Sequence, residues 1–188
     1  MHYHSLYIIT IMNRLIFRLL YYPLVSMLKI VDMITPRAYM KCFVHILRKS
    51  GMKINGMPRY ISSDAWFDNF AAITLSERTV ISKQCVFLTH DYSPTTAFFT
   101  PPTESKYTNT DARIDGTITI KENVFVGFRA VILPNTTIGK NSIIGAGSIV
   151  KGNIPEGSVV VGNPAKVLCS IDEYKRKCIK NADNMIWD

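Results

Sequence analysis

Aliphatic residues recur at every sixth position through the second half of the chain. They are Ile120, Val126, Ile132, Ile138, Ile144 and Val150. An α-helix repeats its apolar positions about every 3.6 residues and a pleated strand every second residue, so neither keeps a six-residue register over five intervals. A short, fixed period is typical of a solenoid. The pattern therefore predicts a parallel β-helix built from six-residue units.

Small or β-branched residues occupy the fourth position after these aliphatic anchors. They are Val124, Ala130, Thr136, Ser142 and Ser148, and three anchors are followed directly by Gly127, Gly139 and Gly145. We expect such residues to let the chain bend tightly between short strands. Cys85 holds the same position in an earlier repeat, which favours a small buried hydrophobic residue.

The repeat begins less regularly. Ile61 and Phe67 are one unit apart, and a second register, displaced by two residues, then runs through Leu75, Ile81 and Phe87. We therefore expect residues 68–73 to bulge from the coil. Bulges in solenoids commonly carry function, although a packing irregularity explains this one equally well.

The aliphatic anchors disappear altogether between Asp91 and Gly116. Proline, serine, threonine and asparagine dominate there, which predicts a long loop that leaves the solenoid between two coils. Loops of this length in compact domains are usually functional. His90 stands at the root of this excursion, in the string FLTHDYSP.

The segment from Val124 to Val167, VFVGFRAVILPNTTIGKNSIIGAGSIVKGNIPEGSVVVGNPAKV, resembles the hexapeptide-repeat acyltransferases. The likeness is to the branch that contains galactoside, maltose and serine O-acetyltransferases and polysaccharide acetyltransferases. It covers about two thirds of the chain and implies a left-handed β-helix. It also implies acetyl-CoA as acyl donor, no metal and a homotrimer whose donor grooves lie between subunits.

The resemblance places His90 at the position of the family's general base. An imidazole titrates near neutral pH and can take the proton from an attacking hydroxyl or amine. Asp91 follows directly and is expected to organise the loop or to orient the imidazole. Asp68 and Asn69 lie about one coil earlier and are expected in the acceptor site, and Tyr92 is expected to pack against the acceptor. The alternative for each is an ordinary surface or corner residue.

The donor site is carried over from the resemblance. Positions that match the family's coenzyme A groove are Gly127, Phe128, Arg129, Gly145, Ala146, Lys151 and Lys166. A backbone N–H near Phe128 would stabilise the thioester oxyanion, and the lysines would meet phosphates. Phe125 stands where the family often has Trp, and Lys151–Gly152 replaces the common Thr–Lys. For each lysine, a solvated surface charge is the competing interpretation.

The chain divides into three segments by composition. Residues 1–50 form an apolar, basic helical segment in which Pro23 and Pro36 interrupt or restart helices, residues 51–168 form the β-helix domain, and residues 169–188 form a helical tail. Charges interrupt residues 6–34, so no spanning helix or signal peptide is predicted. We expect the first segment to cap the solenoid or a neighbouring subunit, or to lie on an anionic membrane.

Composition narrows the partners further. The formal charge of +8 is spread over scattered residues without a nucleic-acid-binding motif, so anionic cofactor phosphates or a membrane surface explain it more simply. The four cysteines lack metal-ligand spacing and suit a reducing, cytoplasmic compartment. A peripheral position at the inner face of the cell membrane is the alternative location. The remaining histidines, His2, His4 and His45, are not clustered for metal binding.

Three functional interpretations follow. The first is an acetyl-CoA-dependent O-acetyltransferase for a sugar or glycan precursor, in surface-polysaccharide biosynthesis. The second is an N-acyltransferase on an amino-sugar nucleotide, or an antibiotic acetyltransferase, with the same base and donor. The third is a noncatalytic hexapeptide-repeat scaffold, which His90 and its loop disfavour. The acceptor itself is not predicted, because the residues that would select it lie in the unpatterned loop.

Overall fold

The computed structural model describes residues 21, 23–100 and 111–181. Residues 23–34 are helical, and a second helix, α1, spans Pro36–Lys49. Pro36 is the first residue of α1 because its missing N–H is not needed there. The expectation that Pro36 separates two helices is confirmed, and His45 lies on α1 as predicted. Arg14, Arg18, His2 and His4 lie outside the described residues.

The rest of the chain is a left-handed parallel β-helix of short strands. The strands are β1 (Lys53–Ile54), β2 (Tyr60–Ile61), β3 (Trp66–Phe67), β4 (Ile73–Leu75), β5 (Val80–Ile81), β6 (Val86–Phe87), β7 (His90–Asp91), β8 (Ile114–Asp115), β9 (Ile118–Ile120), β10 (Phe125–Val126), β11 (Val131–Ile132), β12 (Thr136–Ile138), β13 (Ile143–Ile144), β14 (Ile149–Val150), β15 (Asn153–Ile154), β16 (Ser158–Gly162) and β17 (Ala165–Ser170). The short helices are a 3₁₀ turn (Phe70–Ala72), α2 (Ser93–Phe99) and α3 (Ile171–Lys180).

The strands form three faces of a prism. Face A contains β1, β4, β9, β12 and β15; face B contains β2, β5, β10, β13, β16 and β17; and face C contains β3, β6, β11 and β14. The chain visits faces A, B and C in turn, and three six-residue units therefore complete one coil. Apart from the β16–β17 hairpin, the pairings within these faces are parallel.

The aliphatic anchors stack inside the prism, as the period predicts. On face C, Phe67 pairs with Phe87 and Ile132 with both Phe87 and Val150, and all four side chains are buried. The two-residue displacement between Phe67 and Leu75 is taken up by the 3₁₀ turn. The small residues four positions after the anchors are also buried, Cys85 among them.

The glycines after the anchors do not make the bends, which corrects the expectation from sequence. Left-handed backbone occurs instead three residues after an anchor, for example at Asn123, Asn135 and Asn141 with φ of 54°, 60° and 56°. Gly139 is needed for close approach, because a Cβ there would lie 2.5 Å from the backbone nitrogen of Glu156 in the next coil. Stacked coils thus demand glycine at one position and tolerate asparagine at the bend.

Helix α1 closes the first coil of the solenoid. The buried Tyr39 hydroxyl donates to the Ile61 carbonyl at 2.6 Å, and burial raises its pKa. The Arg48 guanidinium donates to the carbonyls of Ile54 and Gly56 at 3.0 and 2.7 Å. At the other end, α3 begins with a capping box of Ser170 and Glu173. No helix in the described ranges is long and apolar enough to cross a bilayer.

Candidate active site

The excursion leaves the prism at the edge between faces C and A. Its root is ordered, because β7 pairs antiparallel with β8 and sets His90 opposite Asp115. Helix α2 follows, and the Thr95 hydroxyl donates to the Ala112 carbonyl at 2.6 Å. The sequence predicted an unpatterned loop throughout, whereas the described part contains a helix and a two-stranded ladder. Residues 101–110 of the excursion lie outside the described residues.

His90 contacts Asp68 of the preceding coil. The imidazole Nδ1 lies against the Asp68 Oδ2. The same oxygen accepts from the Thr89 hydroxyl at 2.8 Å and from the Thr89 N–H at 3.2 Å. The Asp68 side chain is 11% exposed and the His90 side chain is 38% exposed. A carboxylate at Nδ1 keeps the proton there, which leaves Nε2 as the acceptor nitrogen.

Asp91 does not orient the imidazole. Its Oδ1 accepts from the Ser93 N–H at 2.8 Å at the start of α2. Hydrogen bonds from Ser93 lower the Asp91 pKa, and the charges of Lys151 and His90 lower it further. Asp91 therefore organises the loop, and Asp68, which the sequence placed in the acceptor site, holds the imidazole instead.

A cavity of about 500 Å³ opens beside His90. It is lined by Asn69, Ala72, Thr89, His90, Arg113, Asp115, Gly116, Thr117 and Asn135. The lining is rich in amide, hydroxyl and charged groups. Asn69 lies there as predicted, and its side chain also accepts from the Ala71 N–H at 3.2 Å to cap the 3₁₀ turn.

Tyr92 and Arg113 flank the imidazole. The Tyr92 ring meets the His90 ring edge-on, with 5.3 Å between centroids, and remains 53% exposed. Arg113 Nη1 donates to the Tyr92 hydroxyl at 2.9 Å and its Nε donates to Asp115 at 3.0 Å. The sequence did not single out Arg113, Asp115 or Asn135. The first two lie in the unpatterned excursion, and Asn135 reads as an ordinary bend residue.

Most residues predicted to bind the donor lie on a different edge of the prism. Gly127, Phe128 and Arg129 join β10 to β11, and Gly145 and Ala146 join β13 to β14, so all five lie between faces B and C. Within a single chain, these five residues therefore do not lie beside His90.

The side chains on this edge are accessible. Phe128 is 44% exposed, with the Arg129 guanidinium carbon 4.9 Å from its ring centroid. Arg129 Nε also donates to the Gln84 side chain at 2.7 Å. The flanking Gly127 and Arg129 N–H groups donate to the carbonyls of Ile144 and Lys83.

The two lysines are separated from this group. Lys151 is exposed on the edge between faces C and A, two coils beyond His90, and it is close enough to lower the Asp91 pKa. Lys166 is exposed on β17. In the described part of the chain, histidine, cysteine, aspartate and glutamate form no group of three or more that could hold a metal ion.

Comparison with known proteins identifies the repeat. Residues 117–152 match the bacterial transferase hexapeptide family (six repeats). This part of the chain therefore carries the hexapeptide repeat. The resemblance to hexapeptide-repeat acyltransferases and the left-handed β-helix are thereby confirmed.

Two solved structures share this hexapeptide-repeat fold. A maltose O-acetyltransferase from Clostridium difficile is 22% identical, with a TM-score of 0.50 over 67% of this chain and 73% of that chain. A hexapeptide-repeat acetyltransferase from Vibrio cholerae, complexed with acetyl coenzyme A, is 18% identical, with a TM-score of 0.51 over 68% of this chain and 75% of that chain. At these identities the likeness establishes the fold.

Among curated relatives, 2,3,4,5-tetrahydropyridine-2,6-dicarboxylate N-acetyltransferase from Clostridium perfringens is 48% identical over 66 residues. The match covers 35% of this hexapeptide-repeat chain and 28% of that protein. The chain spans between 28% and 35% of the length of such relatives.

Proposed function

We propose that this protein is an acetyl-CoA-dependent O-acetyltransferase that acts on a sugar or glycan precursor. The observation that carries the proposal is the contact between His90 and Asp68 at the wall of a polar cavity. A catalytic imidazole of this kind needs one nitrogen held by a carboxylate and the other accessible to substrate. The Asp68 contact at Nδ1 and the 38% exposure of the His90 side chain support this assignment.

The reaction needs no covalent enzyme intermediate. His90 Nε2 accepts the proton of an acceptor hydroxyl as its oxygen attacks the thioester carbonyl. The carbon–sulfur bond then breaks, and the imidazolium returns its proton to the departing thiolate. Asp68 stabilises the positive charge that His90 carries between the two transfers.

The cavity lining supports a polyhydroxylated acceptor. Asn69 and Asn135 offer amide groups, and Thr89 and Thr117 offer hydroxyls, which match the donors and acceptors of a sugar. The exposed ring of Tyr92 beside His90 suits the apolar face of a pyranose. Surface-polysaccharide biosynthesis is the setting in which such an acceptor would be modified, and it belongs to this proposal.

A homotrimer is also part of the proposal. The outward residues of face A are polar, namely Lys53, Thr74, Thr119, Thr137 and Asn153. Those of face B between β2 and β13 are Tyr60, Val80, Phe125 and Ile143, and those of face C are Trp66, Val86, Val131 and Ile149. Two apolar faces on each subunit favour a closed ring in which face B or C contacts a neighbour.

Such packing would also bring the two separated groups of site residues together. The edge between faces B and C of one subunit, with Phe128 and Arg129, would approach the His90 cavity of the next. We propose that this groove holds acetyl-CoA, with Lys151 and Lys166 near its phosphates. A cytoplasmic location fits the supply of acetyl-CoA and the four free cysteines.

The test is a screen for thiol release from acetyl-CoA with purified protein. Neutral sugars, nucleotide sugars, amino sugars and serine serve as acceptors, and the product is identified by mass spectrometry and by its lability to mild base. An O-acetyl ester on a sugar is the expected product. A stable amide on an amino group would favour N-acetyl transfer instead, the activity in the name of the Clostridium perfringens relative. Absence of acceptor-dependent thiol release across the screen would contradict the proposal.

A further inference from the structure

The helical residues 23–34 carry apolar side chains on the side that faces away from the protein. Val25 and Leu28 are buried and belong to the hydrophobic core cluster. On the opposite side, four side chains are between 63% and 87% exposed; they are Met27, Ile30, Met33 and Ile34, and we call them the apolar stripe. Positions 27, 30 and 34 lie three and four residues apart and so share one face of a helix. A stripe of this size on an otherwise packed helix indicates an interaction surface.

Positive charges accompany the stripe on the same two helices. Lys29 flanks it on the same helix, and the exposed side of α1 carries Arg37, Lys41 and Lys49. Asp32, the single acidic residue among the helical residues 23–49, already accepts from the Tyr60 hydroxyl at 2.8 Å. The two helices therefore combine an apolar stripe with exposed cations that form no ion pair with the residues that the structure describes.

The charge of the whole chain is concentrated in this region. The first 49 residues hold seven of the 22 lysine and arginine residues but one of the 14 acidic residues, so they account for six of the eight excess positive charges. The excess comes from the near absence of acidic residues there, since lysine and arginine are only slightly more frequent than in the rest of the chain. Two other groups of residues could cover the stripe, namely residues 1–22 of the same chain or a second copy of the helix, and neither would neutralise this charge. Residues 1–22 add Arg14 and Arg18 and no acid, and a second copy of the helix would set Lys29 against another cation.

We infer that the apolar stripe and its basic border form a docking surface for an anionic lipid bilayer. Apolar side chains would enter the boundary between headgroups and acyl chains, and the cations would contact lipid phosphates. This inference does not depend on acetyl transfer, since binding to vesicles is measured without substrates.

The placement of the segment gives this surface a consequence for the site. The segment packs on the first coil, where the Tyr21 ring lies 5.5 Å from the Phe70 ring of the 3₁₀ turn. That turn directly follows Asp68 and Asn69. Docking through the stripe would therefore hold the cavity on the part of the solenoid nearest the membrane-facing segment. A lipid-linked glycan would therefore reach the site if the protein is the acetyltransferase proposed above.

The test is co-sedimentation of the full-length protein with vesicles. Vesicles of phosphatidylcholine alone are compared with an equimolar mixture of phosphatidylcholine and phosphatidylglycerol. We expect binding to the anionic vesicles, weakened by added salt. The double variant Met27→Ser with Ile30→Ser should bind about tenfold more weakly or worse. Lys29→Gln with Lys41→Gln should lose about fivefold for each charge removed.

Leu168→Ser is the matched control, because Leu168 is an aliphatic residue with 63% exposure at the other end of the solenoid, like Ile30. It should bind as the parent does. Equal binding of parent and stripe variant to anionic vesicles would overturn the inference. So would a stripe variant that changes the oligomeric state without changing vesicle binding, which would make the stripe a subunit contact.

A second measurement tests whether the chain itself covers the stripe. In an Ile30→Cys variant, a water-soluble maleimide should label the added thiol rapidly in buffer and slowly with anionic vesicles, relative to the parent's own cysteines. Slow labelling already in buffer would show that another part of the protein occupies the stripe, and would contradict the inference.

Discussion

Replacing Asp68 by Asn separates the positioning role of this carboxylate from its structural role. Asn keeps the size of the side chain and an oxygen that can accept from Thr89, whose hydroxyl and N–H lie 2.8 and 3.2 Å from Asp68 Oδ2. What disappears is the negative charge beside the His90 Nδ1. We therefore expect the variant to fold as the parent does and its kcat to fall.

The size of the effect follows from the type of hydrogen bond lost. A hydrogen bond to a charged group contributes about 1.5–3 kcal/mol. The contact between His90 and Asp68 becomes a pair of opposite charges when the imidazole takes the proton, so this contribution is largest in the transition state. Loss of that contribution in the transition state lowers kcat by about 10- to 150-fold at saturating acceptor. The KM for acetyl-CoA should change little, since the predicted donor residues lie on another edge. Steady-state thiol release with the acceptor from the screen measures both constants.

Asp64→Asn is the matched control. Asp64 also uses Oδ1 to accept from a side-chain hydroxyl, that of Ser62, and from a backbone N–H, that of Gln84, but it lies at the edge between faces B and C. It should keep the parent's kcat at saturating acetyl-CoA, because any effect through Gln84 on Arg129 at the proposed donor edge would appear in the KM for acetyl-CoA. If Asp68→Asn kept the parent's kcat as well, or if both variants lost activity together with thermal stability, Asp68 would have no positioning role.

Three further predictions concern assembly, the buried thiol and the coil contacts. Sedimentation at assay concentration should show a trimer as the active species, with Ile149→Asp dissociating it through the outward side of face C; a fully active monomer would contradict the shared groove. Burial raises the pKa of the Cys85 thiol to about 11. A thiol reagent at mildly alkaline pH should therefore modify three of the four cysteines in the native protein and all four after denaturation, and prompt reaction of native Cys85 would contradict its buried position. Gly139→Ala should lower the free energy of unfolding by about 1–3 kcal/mol through overpacking, since its Cβ would lie 2.5 Å from the Glu156 nitrogen. Gly147→Asn should leave the melting temperature nearly unchanged, because asparagine already occupies the equivalent left-handed bend at position 141. Equal effects of the two changes would refute this assignment of glycine roles.

The solenoid could be predicted from sequence because each anchor is a local, repeated choice. Aliphatic residues at a period of six allow one stacking register, and the pairing of Phe67 with Phe87 follows from it. That register also brings Asp68, one residue beyond its anchor, to the N–H of Thr89. The partner of His90 was therefore accessible in principle from the anchors alone. Proximity of Asp91 in sequence pointed to the wrong carboxylate.

Other parts of the site could not be predicted in this way. Asp115 is set opposite His90 by an antiparallel ladder that closes the excursion, and Arg113 lines the same cavity. No repeat sets the register of this ladder. Helix α2 is only seven residues long, and its sequence has no helical apolar period from which it could be predicted. The separation of the predicted donor residues from His90 follows from the order of the units around the prism, because Gly127 follows a face B anchor and His90 a face C anchor.

The role of His90 as general base is tested directly by measuring acetyl transfer by a His90→Ala variant at saturating acceptor and acetyl-CoA. The imidazole is partly exposed and lies outside the hydrophobic interior, so the variant should fold and assemble as the parent does. Its kcat should fall by about 10²- to 10⁴-fold, the usual contribution of a general base. Undiminished turnover by a correctly folded His90→Ala protein would remove the base from the mechanism and contradict the account.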